Sequence, residues 1–236
     1  MMPERSECCN FSAGPAHLPD AVLEQAQAEM LNWQQSGRSI LEMSHRSVEF
    51  EQLAAETLQQ LRHLLKLPQH YEVLFMQGGG RLQFAAVPLN LYGRATHCQY
   101  LIHGHWGQLA ADEAARFGQV HSWHAWEKTP AEMEHNLDPR HWPIDSDAGF
   151  IHITSNETVH GIQLPDVKLS QAKRVAIDMS SDILSRTIDA SHYDVIYACA
   201  QKTMGAAGIT FVIVNPDSLQ LMDTPMPSYL SYQQQL

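Results

Sequence analysis

Short apolar runs alternate with amphipathic stretches along this chain. The first amphipathic stretch, Asp20 to Gln35, sets Val22, Ala26 and Met30 at four-residue steps, with Gly37 just beyond. That spacing predicts a helix with a glycine stop. A stronger pattern runs from about Ser47 to Lys66. Phe50, Leu53, Ala54, Leu58, Leu61 and Leu65 share one helical face there, and Pro68 follows the stop. Glu72 to Met76 then reads as a strand, followed by the glycine run Gly78-Gly79-Gly80 and a helix beginning near Leu82.

The alternation continues. Gln99 to Ile102 reads as a strand and Trp106 to Phe117 as a helix. Val120 to Trp123 is a weaker strand, with a helix near Ala131 to Asn136. Ala148 to Thr154, Arg174 to Met179, Val195 to Ala198 and Ile209 to Val214 read as further strands. Strands that are apolar throughout are buried on both faces, so the pattern predicts an α/β fold with a mostly parallel central sheet flanked by helices. The Pro-rich stretch after about Met222, ending in Gln233-Gln234-Gln235-Leu236, closes no domain in this reading.

Composition narrows the function. The 236 residues are 44% hydrophobic and 17% charged, enough apolar material for a sizeable core. The formal net charge of −11 argues against general nucleic-acid binding, because a phosphodiester backbone would be repelled. No apolar run approaches the ~20 residues that span a bilayer, and the N-terminus has no apolar signal region. These features predict a cytoplasmic protein that engages neither nucleic acid nor membrane. The four cysteines (Cys8, Cys9, Cys98, Cys199) form no disulfide framework and read as buried reduced thiols. Of 14 histidines, His103 and His105 form an HxH, and His121 and His124 lie nearby. No acidic or cysteine partner completes a ligand set at local spacing, so no metal is expected.

Lysines are scarce, and Lys202 stands apart from Lys66, Lys128, Lys168 and Lys173. It follows an apolar strand, in Val195-Ile196-Tyr197-Ala198-Cys199-Ala200-Gln201-Lys202, and precedes Gly205 and Gly208. Partial desolvation at the mouth of a buried sheet favours a nucleophilic amine. Asp178 ends another apolar strand 24 residues earlier and would emerge at the same sheet edge. A lysine and a carboxylate converging there suit pyridoxal phosphate, with the lysine as Schiff-base former and the carboxylate holding the ring-nitrogen proton. Gly78-Gly79-Gly80-Arg81, between strand and helix, could cradle a phosphate. It is neither GxxxxGK nor GxGxxG. Trp106, at a helix start, could stack on a flat cofactor. His45 and Arg46, just before a strong helix, could meet an anionic group. Each feature also has a plainer reading: an ordinary strand-end lysine, an N-capping aspartate, a tight turn, a core tryptophan, a helix capped by Ser44 or Ser47 with solvated charges.

Taken together, the motifs resemble the phosphoserine aminotransferase family, class V aminotransferases of the fold type I pyridoxal phosphate architecture. The matching stretches are Asn10 to Pro15, Met43 to Arg46, Gly78 to Arg81, Gln83 to Asn90, Asn156-Glu157-Thr158, Asp178 to Ser181 with Ile183 to Arg186, and Tyr197 to Lys202, in the family's order. The resemblance implies roles. Lys202 and Asp178 would be catalytic. Gly80, Arg81, Trp106, Thr158, Asp178, Gln201 and Lys202 would bind the cofactor, and His45 and Arg46 the substrate. The implied reaction converts L-glutamate and 3-phosphohydroxypyruvate to 2-oxoglutarate and O-phospho-L-serine. In bacteria a related phosphorylated 2-oxo acid also feeds pyridoxine synthesis, and the family forms homodimers. Two departures stand out. Ala13 occupies a position where the family often has serine. The family also continues into an Asn-Thr segment and a small domain that these residues do not contain. Residues 1–236 are therefore expected to be a pyridoxal-phosphate-binding large domain with an N-terminal arm, ending before the small domain. The alternatives are a non-catalytic remnant that dimerises or binds the cofactor, and another class V enzyme. A cysteine desulfurase would need a mobile catalytic cysteine, and none sits on an obvious loop here. The reading frame beyond Leu236 would separate these readings.

Overall fold

The computed structural model describes residues 5, 8–125, 135–219 and 225–236. The chain divides into two compact units, residues 1–66 and 67–236. Lys128 and most of the helix expected near Ala131 to Asn136 lie outside the described residues.

In the first unit, helix α1 covers Asp20–Glu29. It is shorter than its pattern predicts. Asn32 Oδ1 accepts the Gly37 N–H at 2.8 Å, and the Trp33 N–H donates to the Arg38 carbonyl at 2.9 Å. This side-chain competition turns the chain, and Gln34 and Gln35 take positive φ of 45° and 62°. Helix α2 covers Val48–Leu64, and Ser47 Oγ caps it by accepting the Phe50 N–H at 3.3 Å. Its burial follows the predicted stripe, with Leu61 and Leu65 buried, Phe50, Leu53, Ala54 and Leu58 half-buried, and Glu51, Gln52, Glu56, Gln59 and Gln60 exposed.

The second unit is built on a seven-stranded sheet. Its strands are β1 (Glu72–Met76), β2 (His97–Ile102), β3 (Gln119–His124), β4 (Ile151–Thr154), β7 (Val175–Asp178), β8 (Val195–Cys199) and β9 (Thr210–Val214), in the order β1-β9-β8-β7-β4-β2-β3. Two short strands, β5 (Asn156–Glu157) and β6 (Ile162–Gln163), pair separately. Neighbours are parallel except at β9, which runs against both β1 and β8. Strands β4, β7, β8 and β9 are buried at every position, which explains their mainly apolar sequences. No residue of the edge strand β3 is buried, as its weaker pattern suggests.

Helices α3 (Gly79–Leu91) and α4 (His105–Ala114) connect strands of the sheet. Phe84, Val87, Tyr100, Phe150, Tyr197 and Val212 belong to one buried cluster. The tail does join this unit, contrary to the sequence reading. Tyr232, in the short helix that ends the chain, is fully buried. Its hydroxyl donates to Gln83 Oε1 at 2.6 Å and its N–H to Asn90 Oδ1 at 2.8 Å. Two polar residues on the buried face of α3 thus receive the tail, a long-range match that local periodicity cannot display. No described helix is long and apolar enough to cross a membrane.

Candidate active site

Six of the seven strands point the same way, so Met76, Ile102, His124, Thr154, Asp178 and Cys199 end at one edge of the sheet. In open α/β sheets ligands bind at this carboxyl edge. Gly78–Gly80, Trp106, Thr158, Asp178 and Lys202 all lie on or just after these strand ends.

Asp178 closes β7 and is only 6% exposed. Its Oδ1 accepts the Ser180 N–H at 2.8 Å. Burial pushes its carboxyl above the usual range. The Ser180 hydrogen bonds and the Lys202 charge oppose that shift, and the Glu157 charge adds to it. The loop that follows is firmly anchored. Asp182, also buried, accepts from the Ser155 hydroxyl, from Gln163 Nε2 at 3.2 Å and from Arg186 Nη2 at 3.1 Å. Asn156 Nδ2 donates to Ser181 Oγ at 3.0 Å. Beside Asp178 in the parallel register stands Thr154, whose buried hydroxyl has no protein partner.

Lys202 lies in a four-residue helical turn, Ala200–Thr203, directly after β8. Its Nζ is 5.6 Å from the centroid of the Trp106 ring, a cation–π distance. Trp106 sits in the first turn of α4, and its Nε1 donates to Thr158 Oγ1 at 3.0 Å. The backbone beneath it is held by Glu157. One carboxylate oxygen accepts the Trp106 N–H at 2.9 Å and the other the Gly107 N–H at 2.7 Å. Glu157 is fully buried, and burial raises its carboxyl pKa despite these two bonds. Gly104 is needed for the fit, because a Cβ there would meet Glu157 atoms at 2.7–2.8 Å.

The glycine run makes a turn only glycine tolerates well, with φ of +85° at Gly78 and +66° at Gly79. Helix α3 therefore starts at Gly79, earlier than expected. The Gly80 N–H donates to Cys199 Sγ at 2.9 Å, and a Cβ on Gly80 would lie 3.8 Å from Asp178 Oδ2. Arg81 is exposed in the first turn of α3, and Gln201 is half-buried next to Lys202.

A family model described as aminotransferase class-V matches residues 8–229. The chain belongs to that family. It is 44% identical over 227 residues to the phosphoserine aminotransferase of Haemophilus ducreyi, covering 96% of this chain and 63% of that relative. It is 43% identical over 229 residues to the Acinetobacter baumannii phosphoserine aminotransferase, covering 96% and 62%. The crystal structure of pyridoxal-phosphate-bound phosphoserine aminotransferase from Trichomonas vaginalis superposes with a TM-score of 0.86 at 37% identity, over 96% of this chain and 63% of that one. The chain thus spans somewhat over three fifths of the length of these class V relatives.

The class V fold brings Gly80, Trp106, Thr158, Asp178 and Lys202 to one edge. His45 and Arg46 belong to the first unit, exposed on the turn ahead of α2. Three contributors escaped sequence reasoning. Glu157 is one, although its Asn-Glu-Thr motif after a buried strand was a usable signal. Ser180 and Cys199 are the others. Cys199, expected to be an inert core thiol, is a hydrogen-bond acceptor in the cradle, and the Ser180 hydroxyl lies 3.4 Å from its sulfur. Cys98 is buried as expected, but Cys8 and Cys9 are exposed. The HxH does not act as a unit. His103 is buried and its pKa is lowered to about 4 by burial, whereas His105 is exposed at the start of α4.

Proposed function

We propose that this chain is the cofactor-binding part of a phosphoserine aminotransferase, transferring the amino group of L-glutamate to 3-phosphohydroxypyruvate. The products are 2-oxoglutarate and O-phospho-L-serine, a step of L-serine biosynthesis. The convergence of Asp178, Lys202 and Trp106 at the carboxyl edge of the sheet carries this reading. The 43–44% identity to phosphoserine aminotransferases supports the substrate pair.

The residues present fit pyridoxal phosphate. A buried carboxyl whose pKa is pushed up by desolvation is relieved by a cationic ring nitrogen. The unpartnered Thr154 hydroxyl beside it offers a further polar contact. When bound, the cofactor supplies the electron sink that amino-group transfer needs. Asp178 would hold the proton on the ring nitrogen. Trp106, fixed by Glu157 and Thr158, would cover one face. The α3 amides with Gly80, Arg81 and Gln201 would hold the phosphate through the helix N-terminus. Lys202 Nζ would form the covalent link, then take the proton from the α-carbon of glutamate and return one to the α-carbon of the phosphorylated product. His45 and Arg46 would bind the anionic end of the substrate.

The same chemistry extends to the phosphorylated 2-oxo acid precursor of 4-phosphohydroxy-L-threonine in pyridoxine synthesis. We also assign the protein to the cytoplasm as a homodimer. Apolar side chains exposed on the first unit, among them Phe11, Leu31 and Leu41, support a partner surface. The decisive test is borohydride reduction of the protein mixed with pyridoxal phosphate, followed by peptide mapping. Label on Lys202 is expected. Label confined to other lysines would overturn the proposal.

A further inference from the structure

We propose that His97, His121 and Asp145 form a binding site for one divalent ion of the zinc class, at the sheet edge opposite the active site. The expectation of no metal rested on spacing along the chain, and these residues are 24 positions apart in each step. The fold assembles them. His97 opens β2, and the register sets it beside Gln119 and sets Gln99 beside His121. The even spacing puts His97 and His121 on one face of the sheet, where their rings stack with centroids 4.1 Å apart.

Asp145 arrives on the loop ahead of β4, and that loop is pinned by Gln99. The Asp145 N–H donates to Gln99 Oε1 at 3.0 Å, and Gln99 Nε2 donates to the Pro143 carbonyl at 2.6 Å. One carboxylate oxygen is fixed by the Asp147 N–H at 3.0 Å. The other, Oδ2, lies 2.7 Å from His97 Nε2 and 3.4 Å from His121 Nδ1. All three donor atoms lie within 4.8 Å of one another. A tetrahedral zinc with bonds of about 2.0–2.1 Å has edges of roughly 3.3 Å, so small adjustments suffice.

The outward ring nitrogens are also provided for. A metal-bound imidazole carries its proton on the far nitrogen and needs an acceptor there. His97 Nδ1 is 3.0 Å from Thr96 Oγ1. His121 Nε2 is 3.1 Å from the Gln119 side-chain amide, which accepts once its oxygen is turned inward. Side-chain exposures of 12% for His97, 29% for Asp145 and 45% for His121 leave an open position for water as fourth ligand. Two imidazoles and one carboxylate favour zinc, cobalt or nickel over magnesium or calcium. Among the described residues, no other group of histidine, cysteine and acidic side chains brings three donor atoms together in this way.

The test uses tag-free, chelator-stripped protein titrated with Co²⁺ and then displaced by Zn²⁺. One equivalent with the visible absorption of four-coordinate cobalt is expected. His121→Ala, on the exposed edge strand, and Asp145→Asn should each weaken binding at least about tenfold, with unchanged circular dichroism. The proposal fails if the four-coordinate spectrum does not appear. It also fails if the spectrum persists unchanged in both variants.

Discussion

The two edges of one sheet solve opposite problems. At the carboxyl edge, Asp178 and Glu157 are buried carboxyls held by backbone amides, and burial drives both pKa values up. At the amino edge, Asp145 is half-buried and paired with imidazoles, and the His97 hydrogen bond holds its carboxyl below the usual range. The first arrangement keeps charge out of water in a fixed place, at a cost in stability that a bound cation would offset. The second keeps donors accessible and loosely committed. Burial thus separates a site prepared for chemistry from one prepared for capture.

The largest effect is expected from Lys202→Ala. It should abolish covalent capture of pyridoxal phosphate and lower the single-turnover rate with glutamate by roughly 10²–10⁴-fold, the usual worth of a positioned acid–base group. Retained borohydride labelling at full stoichiometry would remove Lys202 from the site. Next is Asp178→Asn. Losing a charge-assisted contact worth about 1.5–3 kcal/mol should slow the glutamate half-reaction about ten- to a hundredfold. Cofactor capture should change less. An unchanged half-reaction would show that the buried carboxylate is only structural.

Glu157→Gln probes the dry edge without touching the reacting groups. A carboxyl whose folded pKa is raised stays protonated in the folded state while the unfolded chain has already ionised. Stability is therefore greatest below the unfolded value of about 4.5 and falls as pH rises above it. The variant lacks that titration, so its melting temperature should fall less than that of the wild type between pH 4.5 and 7. A steeper fall in the variant would mean that Glu157 is not held against its ionised form. The smallest effect is expected from His121→Ala on amino transfer. His121 lies three residues, about 10 Å, short of the carboxyl end of β3 and three strand spacings, about 14 Å, from β7, so the rate should stay within about twofold. A larger loss in the steady-state rate would show that the edges are coupled.

Much of this was legible in the chain. The buried strands β7, β8 and β9 announced themselves as largely apolar runs, and Asp178, which ends β7, and Lys202, just after β8, were conspicuous against them. What stayed hidden depends on distant partners. The ladder β5–β6 has two residues per strand, too few for any period to register. Glu157 is a site residue only because amides some 50 positions earlier turn toward it. Tyr232 is a core residue only because α3 presents Gln83 and Asn90 to it. The extra length predicted for α1 failed for a local reason, the Asn32 side chain taking a backbone amide that the turn had freed.

One feature of the topology also sets a clock. Strand β1 borders only β9, and Met76 finds its partner Thr210 134 positions later. The glycine turn after β1 therefore cannot be fixed through the sheet beside Asp178 and Lys202 until β9 has been made and inserted between β1 and β8. At about 5–20 residues per second, ribosomal synthesis takes on the order of ten seconds to cover that interval. During this time the first half of the site hangs on a strand with no hydrogen-bonded neighbour, its apolar residues open to wrong partners or to a chaperone. The cofactor pocket is thus among the last parts of the sheet to close, and a nascent chain stalled before residue 210 would carry β1 as an exposed, sticky edge.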